Sequence, residues 1–369
     1  MAQPPSSLED HLRSLKKWTA TGGPLAPGAA SDTTKNPENF RSEGGALVIR
    51  MQRAKLHKEI LDEYFAEHPS VLCQGRAIIC SGPPGAGKSS VLRKRLGAES
   101  INHWRIIDPD EFKDRLLRKL GEKRYGFTLP NPDLGGASIP PGELAALIHE
   151  ESSLLAKRAR QRAIIRKENV VIDGLHSSEY KLKRTFQELT RRADRQYSDI
   201  EIILVDTDLN TSRARVTHRF TSAYLAWATE GDTAAGYAAR YVPEEITNEV
   251  YHERTDRSAC TTAVSAFLRS DEARESLVKA SFYRVDHAAG EPRLVQTIDY
   301  TEDRQRRTKK YPRTPETTAA ASQPIPTNPT PDSASTPPAA THSTRTTCGA
   351  DTERGTPCRR TGTCPYHST

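Results

Sequence analysis

The run Gly82-Pro83-Pro84-Gly85-Ala86-Gly87-Lys88-Ser89-Ser90 matches the pattern G-x-x-x-x-G-K-[ST] at every fixed position. It directly follows the apolar segment Ala77-Ile78-Ile79-Cys80. The chemistry such a run serves is the holding of phosphates. Glycines without side chains let successive backbone N–H groups close around dense negative charge, and the helix that follows turns its positive end toward it. Lys88 is expected to reach the β- and γ-phosphates of a nucleoside triphosphate, ATP or GTP, and the Ser89 hydroxyl to hold Mg²⁺. A bare glycine-rich turn is the structural alternative, and a full match between a strand and a helix argues against it.

A phosphate cradle alone does not say where the γ-phosphate goes, so the carboxylates matter next. A second apolar run, Trp104-Arg105-Ile106-Ile107, ends in Asp108-Pro109-Asp110, and a third, Asn169-Val170-Val171-Ile172, ends in Asp173-Gly174-Leu175-His176. Open parallel sheets bind ligands at the carboxyl ends of their strands. The spacing places Asp108 and Asp110 on the strand beside the one that feeds the loop. Two carboxylates separated by one residue suit a small-molecule kinase, one serving the metal and the other accepting the proton of an attacking hydroxyl. Asp-Pro-Asp is also good turn chemistry, which is the competing reading.

A helix is expected over Glu143–Lys157, entered through Pro140-Pro141. At about 100° per residue its leucines form one stripe, with Glu151 in the middle, Glu150 at the edge and His149 opposite. A carboxylate on an apolar face must be paired or bonded to a ligand. Glu151 is therefore either a substrate contact or half of a buried ion pair. A fourth strand, Ile200 to Val205, runs into Asp206-Thr207-Asp208. Arg213, Arg215 and Arg219 follow on a helical stretch, then a looser segment to Arg240-Tyr241-Val242-Pro243. Arginines beyond the last strand of such a core can balance charge on a transferring phosphoryl group.

The order GPPGAGKSS, IIDPDEFK, HEESSLLAKRA, NVVIDG, RVTHRF and RYVP is similar to the zeta toxin family over roughly residues 45–290. The resemblance implies an α/β fold of the P-loop NTPase kinase type, a parallel sheet flanked by helices. It implies a bacterial kinase that phosphorylates the 3′-hydroxyl of the sugar of UDP-N-acetylglucosamine, blocking peptidoglycan synthesis, with an antitoxin protein as partner. Carried over by motif, Lys88 binds the triphosphate, Ser89 the metal, and Asp110 acts as general base. Glu151 or Glu150 contacts substrate, as does the turn at Asp173 with Asp108 and His176 nearby, and Arg219 and Arg240 stabilise charge. Family members often carry Glu-Gly-Thr where this chain has Asp173-Gly174-Leu175, so a hydroxyl is missing here. Kinases of other acceptors (an antibiotic, a nucleoside, a polynucleotide 5′-hydroxyl) and a nucleotide-dependent regulatory binding protein are the alternatives.

These motifs need a core to hold them, and composition says where it lies. Of 369 residues only 35% are apolar, and the deficit is concentrated at the ends. Residues 1–42 read as a disordered segment containing a short amphipathic run, Gly45 to Glu67 as a helix, and 45–295 as the kinase domain. Residues 312–346 are Thr-, Pro- and Ala-rich, a linker unable to bury a core. The last stretch, 347–369, holds Cys348, Cys358, Cys364 and His367, four ligands that would close a tetrahedral Zn²⁺ site in a small tail. The other cysteines, Cys73, Cys80 and Cys260, read as small apolar residues. No segment is apolar enough to span a membrane and no signal core is present, so a cytoplasmic enzyme is expected. The net charge of +7 favours polyanionic ligands. Without interleaved aromatics, nucleic acid is the less favoured partner.

Overall fold

The structure is a computed structural model and describes residues 7–191, 197, 199–251 and 254–301. In chain order its first elements are helix α1 (Leu8–Thr19), the hairpin β1 (Phe40–Glu43) and β2 (Ala46–Ile49), α2 (Met51–Ala66), β3 (Arg76–Ser81) and α3 (Lys88–Leu96). There follow β4 (Arg105–Ile107), α4 (Pro109–Gly121), α5 (His149–Ile165), β5 (Val170–Gly174), α6 (Glu179–Thr190), β6 (Asp199–Thr207) and the long α7 (Leu209–Glu230). Then come α8 (Thr233–Ala238), α9 (Glu244–Glu249), α10 (Ala259–Phe267), α11 (Asp271–Ser276), β7 (Leu277–Val285) and β8 (Arg293–Asp299).

Strands β3, β5 and β6 are almost continuously apolar because both of their faces are covered, the signature of a parallel sheet between helix layers. The sheet has six strands in the order β4-β5-β3-β6-β7-β8, all parallel except the last pair. On one face Ile78, Val171, Ile203 and Val205 pack with Val91 and Leu92 of α3. On the other, Ile79, Ile172 and Ile202 meet Phe112 and Leu116 of α4 and Leu155 and Ala159 of α5. This order corrects one expectation. β4 does not lie beside β3; β5 intervenes, so Asp173 and not Asp108 is the carboxylate on the strand adjoining the loop strand, in register with Cys80.

The start of the chain is also different from its expectation as disordered. Composition concealed a few well-spaced apolar residues. Leu15 and Leu25 are fully buried in the main core, and Ser7 caps α1 by accepting a hydrogen bond from Asp10 N. The Gly45–Glu67 stretch is a strand followed by α2 and not one helix; Arg50 between them is extended, at φ −72° and ψ 151°. Likewise the helix expected over Glu143–Lys157 is a 3-10 segment, Pro141–Ile148, and only from His149 onward an α-helix. The linker and the Cys348, Cys358, Cys364, His367 tail lie outside the described residues.

If residues 7–40 are built into the core, Leu15→Ala should cost about 2–5 kcal/mol, as for other buried leucines. Urea unfolding of the variant beside the parent checks this, and an unchanged midpoint would mean that α1 is not docked.

Candidate active site

The loop between β3 and α3 is shaped by what surrounds it. A Cβ on Gly82 would meet the Val205 carbonyl at 2.2 Å, so no other residue fits where β3 leaves the sheet beside β6. Pro83, Pro84, Gly85, Ala86 and Gly87 carry the chain round to Lys88, the first residue of α3. α7 braces this loop: Ser212 Oγ donates to Pro84 O at 2.7 Å and Arg215 Nη1 to Gly85 O at 3.1 Å. Arg215 also donates to the carbonyls of Ala288 and Gly290 between β7 and β8. Arg215 is thus a loop brace, which no spacing in the sequence reveals because its partners are backbone carbonyls from distant segments. Ser89 and Ser90 are exposed on the first turn of α3.

Lys88 folds back toward the loop, donating to Gly82 O at 3.1 Å, and its ammonium stands 3.8 Å from Asp173 Oδ1. Burial works against its charge, but Asp173 foremost outweighs that and raises its pKa. Asp173 is pushed up to about 6, chiefly by burial and against the pull of Lys88, with Asp108 and Asp110 adding repulsion. Its Oδ1 is buried and has no hydrogen-bond partner. His176 lies just beyond, in the left-handed region at φ 45°, its ring packed against Gly174. Burial first, then Arg160 and Lys88, lowers its pKa to about 4, so the imidazole is neutral, and Nδ1 has no partner.

Asp108 and Asp110 open α4. Asp108 is its N-cap, Oδ1 accepting from Asp110 N at 2.9 Å, with Pro109 at the first helical position. The turn reading of Asp-Pro-Asp was therefore half right: the motif caps a helix and presents a carboxylate at once. Asp110 is half-exposed and pairs with Lys113 Nζ at 2.8 Å, one helical turn on, and with Arg240 Nη1 at 3.8 Å. Burial would raise its pKa; Lys113, Arg240 and Arg219 together hold it down at about 2. Burial and the neighbouring Asp110 instead raise that of Asp108. Arg240 also faces Asp114 at 3.8 Å, and its Nε is buried without a partner. Arg219 is exposed on α7.

One expected contact is corrected. Glu151 is fully buried: Arg53 Nε and Nη2 donate to its two oxygens at 2.6 and 2.7 Å, and His57 Nε2 lies 2.7 Å from Oε1. Burial would raise its pKa, yet Arg53 and His57 hold it at about 2. It is the buried ion pair and not a substrate contact, tying α5 to α2. The stripe geometry found an expensive carboxylate; it could not find the partner 98 residues away. Glu150 is exposed on the first turn of α5, and beside it His149 feels the charges of Lys113, Glu150 and Asp110, so this end of α5 borders the cleft. Lys113 was overlooked although its spacing of three from Asp110 on a helix made the pairing legible. A cavity of about 400 Å³ lies elsewhere, between α1, α7 and residues 241–244.

Lys88, Asp108, Asp110, Asp173 and Arg240 thus stand at one sheet edge, within electrostatic reach of one another. The model of the zeta toxin family matches residues 62–287. The chain belongs to the zeta toxin family. Among solved structures it is similar to a chain of the AvrRxo1-ORF1:AvrRxo1-ORF2 complex with sulphate ions. The identity is 19% and the TM-score 0.49, with 73% of this chain and 76% of that one covered. A chain of the same complex with ATP matches at 18% identity and TM-score 0.48, over 73% and 76%. A chain of the PezAT toxin–antitoxin system of Streptococcus pneumoniae matches at 14% and 0.43, over 66% of this chain and 81% of that one. No curated protein matches the chain. Among the described residues no helix is long and apolar enough to cross a membrane, and no group of three or more His, Cys, Asp or Glu is arranged to hold a metal.

Two outcomes follow from these charges. Glu151→Ala would strand a buried arginine and should destabilise by about 3–5 kcal/mol, read by thermal or urea unfolding. The folded-state pKa of Asp173, about 6, lies above that of an unfolded carboxylate, so its contribution is full at low pH and lost as pH rises through 6. Asp173→Asn should shrink the ligand-free stability difference between about pH 4 and about pH 7.5 by about 2–3 kcal/mol. An unchanged difference would show that Asp173 is ionised without penalty.

Proposed function

We propose that this member of the zeta toxin family transfers the γ-phosphate of ATP or GTP to a hydroxyl of a small acceptor, with the 3′-hydroxyl of UDP-N-acetylglucosamine as the leading candidate. The observation that carries the reading is the shared cleft: the phosphate-loop lysine and a carboxylate held ionised by cations lie at the same sheet edge. Kinase chemistry needs little covalent work from the protein; it needs positioning and charge stabilisation.

In this reading the loop N–H groups and Lys88 hold the triphosphate, with Lys88 kept cationic by Asp173. Asp110 accepts the proton of the acceptor hydroxyl as its oxygen attacks the γ-phosphorus and the bond to the β-phosphate oxygen breaks. With a pKa of about 2 the carboxylate is ionised at any physiological pH, available but a weak base, and suits a late proton transfer. Arg240, and Arg219 from α7, face the charge that builds on the equatorial oxygens. Asp108, Glu150 and His176 border the acceptor, and Glu151 acts only through the frame it ties together.

Mg²⁺ fits the residues present. The hydroxyl of Ser89 and the unpartnered, buried Asp173 Oδ1 are hard oxygen donors beside Lys88, the donor type this cation takes. When bound, Mg²⁺ neutralises charge on the β- and γ-phosphates. An antitoxin as partner belongs to the family reading. Zn²⁺ in the Cys348, Cys358, Cys364, His367 tail remains a separate proposal resting on ligand number alone.

The test incubates the protein with γ-labelled ATP and a panel: UDP-N-acetylglucosamine, nucleosides, aminoglycosides and a 5′-hydroxyl oligonucleotide. Acceptor-dependent transfer is expected; binding of nucleotide with no transfer to any of them would favour a regulatory role. Lys88→Ala should abolish both binding and transfer. Asp110→Ala should lower turnover by about 10²–10⁴-fold while leaving nucleotide affinity within about twofold. Undiminished turnover in that variant removes Asp110 as base.

A further inference from the structure

Residues 7–61 precede the stretch that the family model matches, yet their first part is built into the interior. His11 of α1 is buried. Its Nε2 is hydrogen-bonded to Glu143 Oε1 at 2.5 Å, and its ring stacks on Tyr224 of α7 with centroids 4.3 Å apart. Glu143 belongs to the 3-10 segment that leads into α5. Its neighbour Gly142 is pressed against the turn carrying Arg240: a Cβ there would meet Ala239 O at 2.5 Å and Tyr237 O at 2.6 Å. On the other side of the same turn, Lys16 of α1 pairs with Glu244 at 3.5 Å. Farther on, Thr33 N donates to Leu147 O at 2.9 Å, two residues before His149, and His149 feels the charge of Asp32.

We propose that residues 7–35 are a positioning element for the acceptor half of the cleft. They hold the Arg240 turn from both sides and the start of α5 from behind. The inference rests on the kinase reading for what that half does. Arg240 sits between two six-residue helices, so little of its own local structure fixes it. A cation aimed at a transferring phosphoryl group loses much of its effect when displaced by about 1 Å. Gly142 lies so near Ala239 O and Tyr237 O that no side chain fits between them, so a shift of the 3-10 segment toward that turn is passed to Ala239 and then to Arg240. His11 is the link. Without its imidazole Glu143, whose Oε2 already has no partner, is left buried and bare and must move. The phosphate loop, by contrast, is braced by Ser212 and Arg215 of α7. Loss of His11 should therefore divide the cleft into a disturbed acceptor half and an intact nucleotide half.

The experiment compares full-length parent, His11→Ala and His11→Gln proteins by peptide hydrogen exchange, by titration with a fluorescent ATP analogue and by transfer to UDP-N-acetylglucosamine. His11→Ala should speed exchange in residues 141–150 and 237–244 and leave 82–90 unchanged. Nucleotide affinity should stay within about twofold while kcat/KM for the acceptor falls about tenfold. His11→Gln, which keeps an N–H for Glu143, should recover part of that loss. Equal acceleration in 82–90, or none in the two named segments, overturns the proposal. If the parent transfers no phosphate to UDP-N-acetylglucosamine, that acceptor fails by itself and the exchange pattern still decides whether the element positions this half. Should His11→Ala not fold, Lys16→Ala, at the surface, is judged by exchange in 237–244 alone, where no change counts against the proposal.

Discussion

An ammonium and a carboxylate confined together at the carboxyl edge of a parallel sheet set the conditions for the rest of this molecule. Lys88 and Asp173 are 3.8 Å apart, too far for a close ion pair, and Asp173 keeps one buried oxygen unpartnered. Buried polar groups left in this state are rare in folded chains because desolvation is not repaid. Register holds Asp173 of β5 opposite Cys80 of β3, while Lys88 is turned back on Gly82 O, so the two groups stand close without meeting.

Around that pair the carboxylates are sorted by the cations that reach them. Asp110 is held ionised by Lys113, Arg240 and Arg219, while Asp173 and Asp108 are pushed toward protonation by burial. Three carboxylates of the same chemistry thus behave differently because cations reach one of them more fully than the others. The frame behind them is itself ionic. The Arg53–His57–Glu151 cluster joins α2 to α5, and Arg53 also lies over the Phe127 ring at 4.7 Å, tying in the loop that follows α4. Burying such a cluster contributes more to a single arrangement than to net stability.

Much of this was legible before any coordinates. The phosphate loop and the strand-end aspartates followed from spacing, because each rests on local rules: a strand feeding a helix, a cap, a turn of helix; Arg219 and Arg240 were singled out by the family resemblance instead. Where legibility failed, the cause was distance along the chain. Glu151 could be seen to need a partner, but nothing local distinguishes Arg53 from a ligand. The opening segment resembled a disordered tail because Leu15 and Leu25 are few among Pro, Gly and Ser; only the groove that receives them makes two leucines enough. Asp108 was placed one strand too close because strand order is a property of crossovers and cannot be read from strand succession.

The amino-acid sequence by itself determined the membership in the zeta toxin family, the parallel α/β architecture and the local chemistry of the loop from Gly82 to Ser90. These depend on periodicity and short-range spacing, which survive in one dimension. Tertiary structure alone decided which carboxylate faces Lys88, which glutamate is buried against arginine, and that α1 lies beside the Arg240 turn. Those outcomes depend on which distant segments share a surface, and the energy of a buried charge is set by that neighbour and not by its position in the chain.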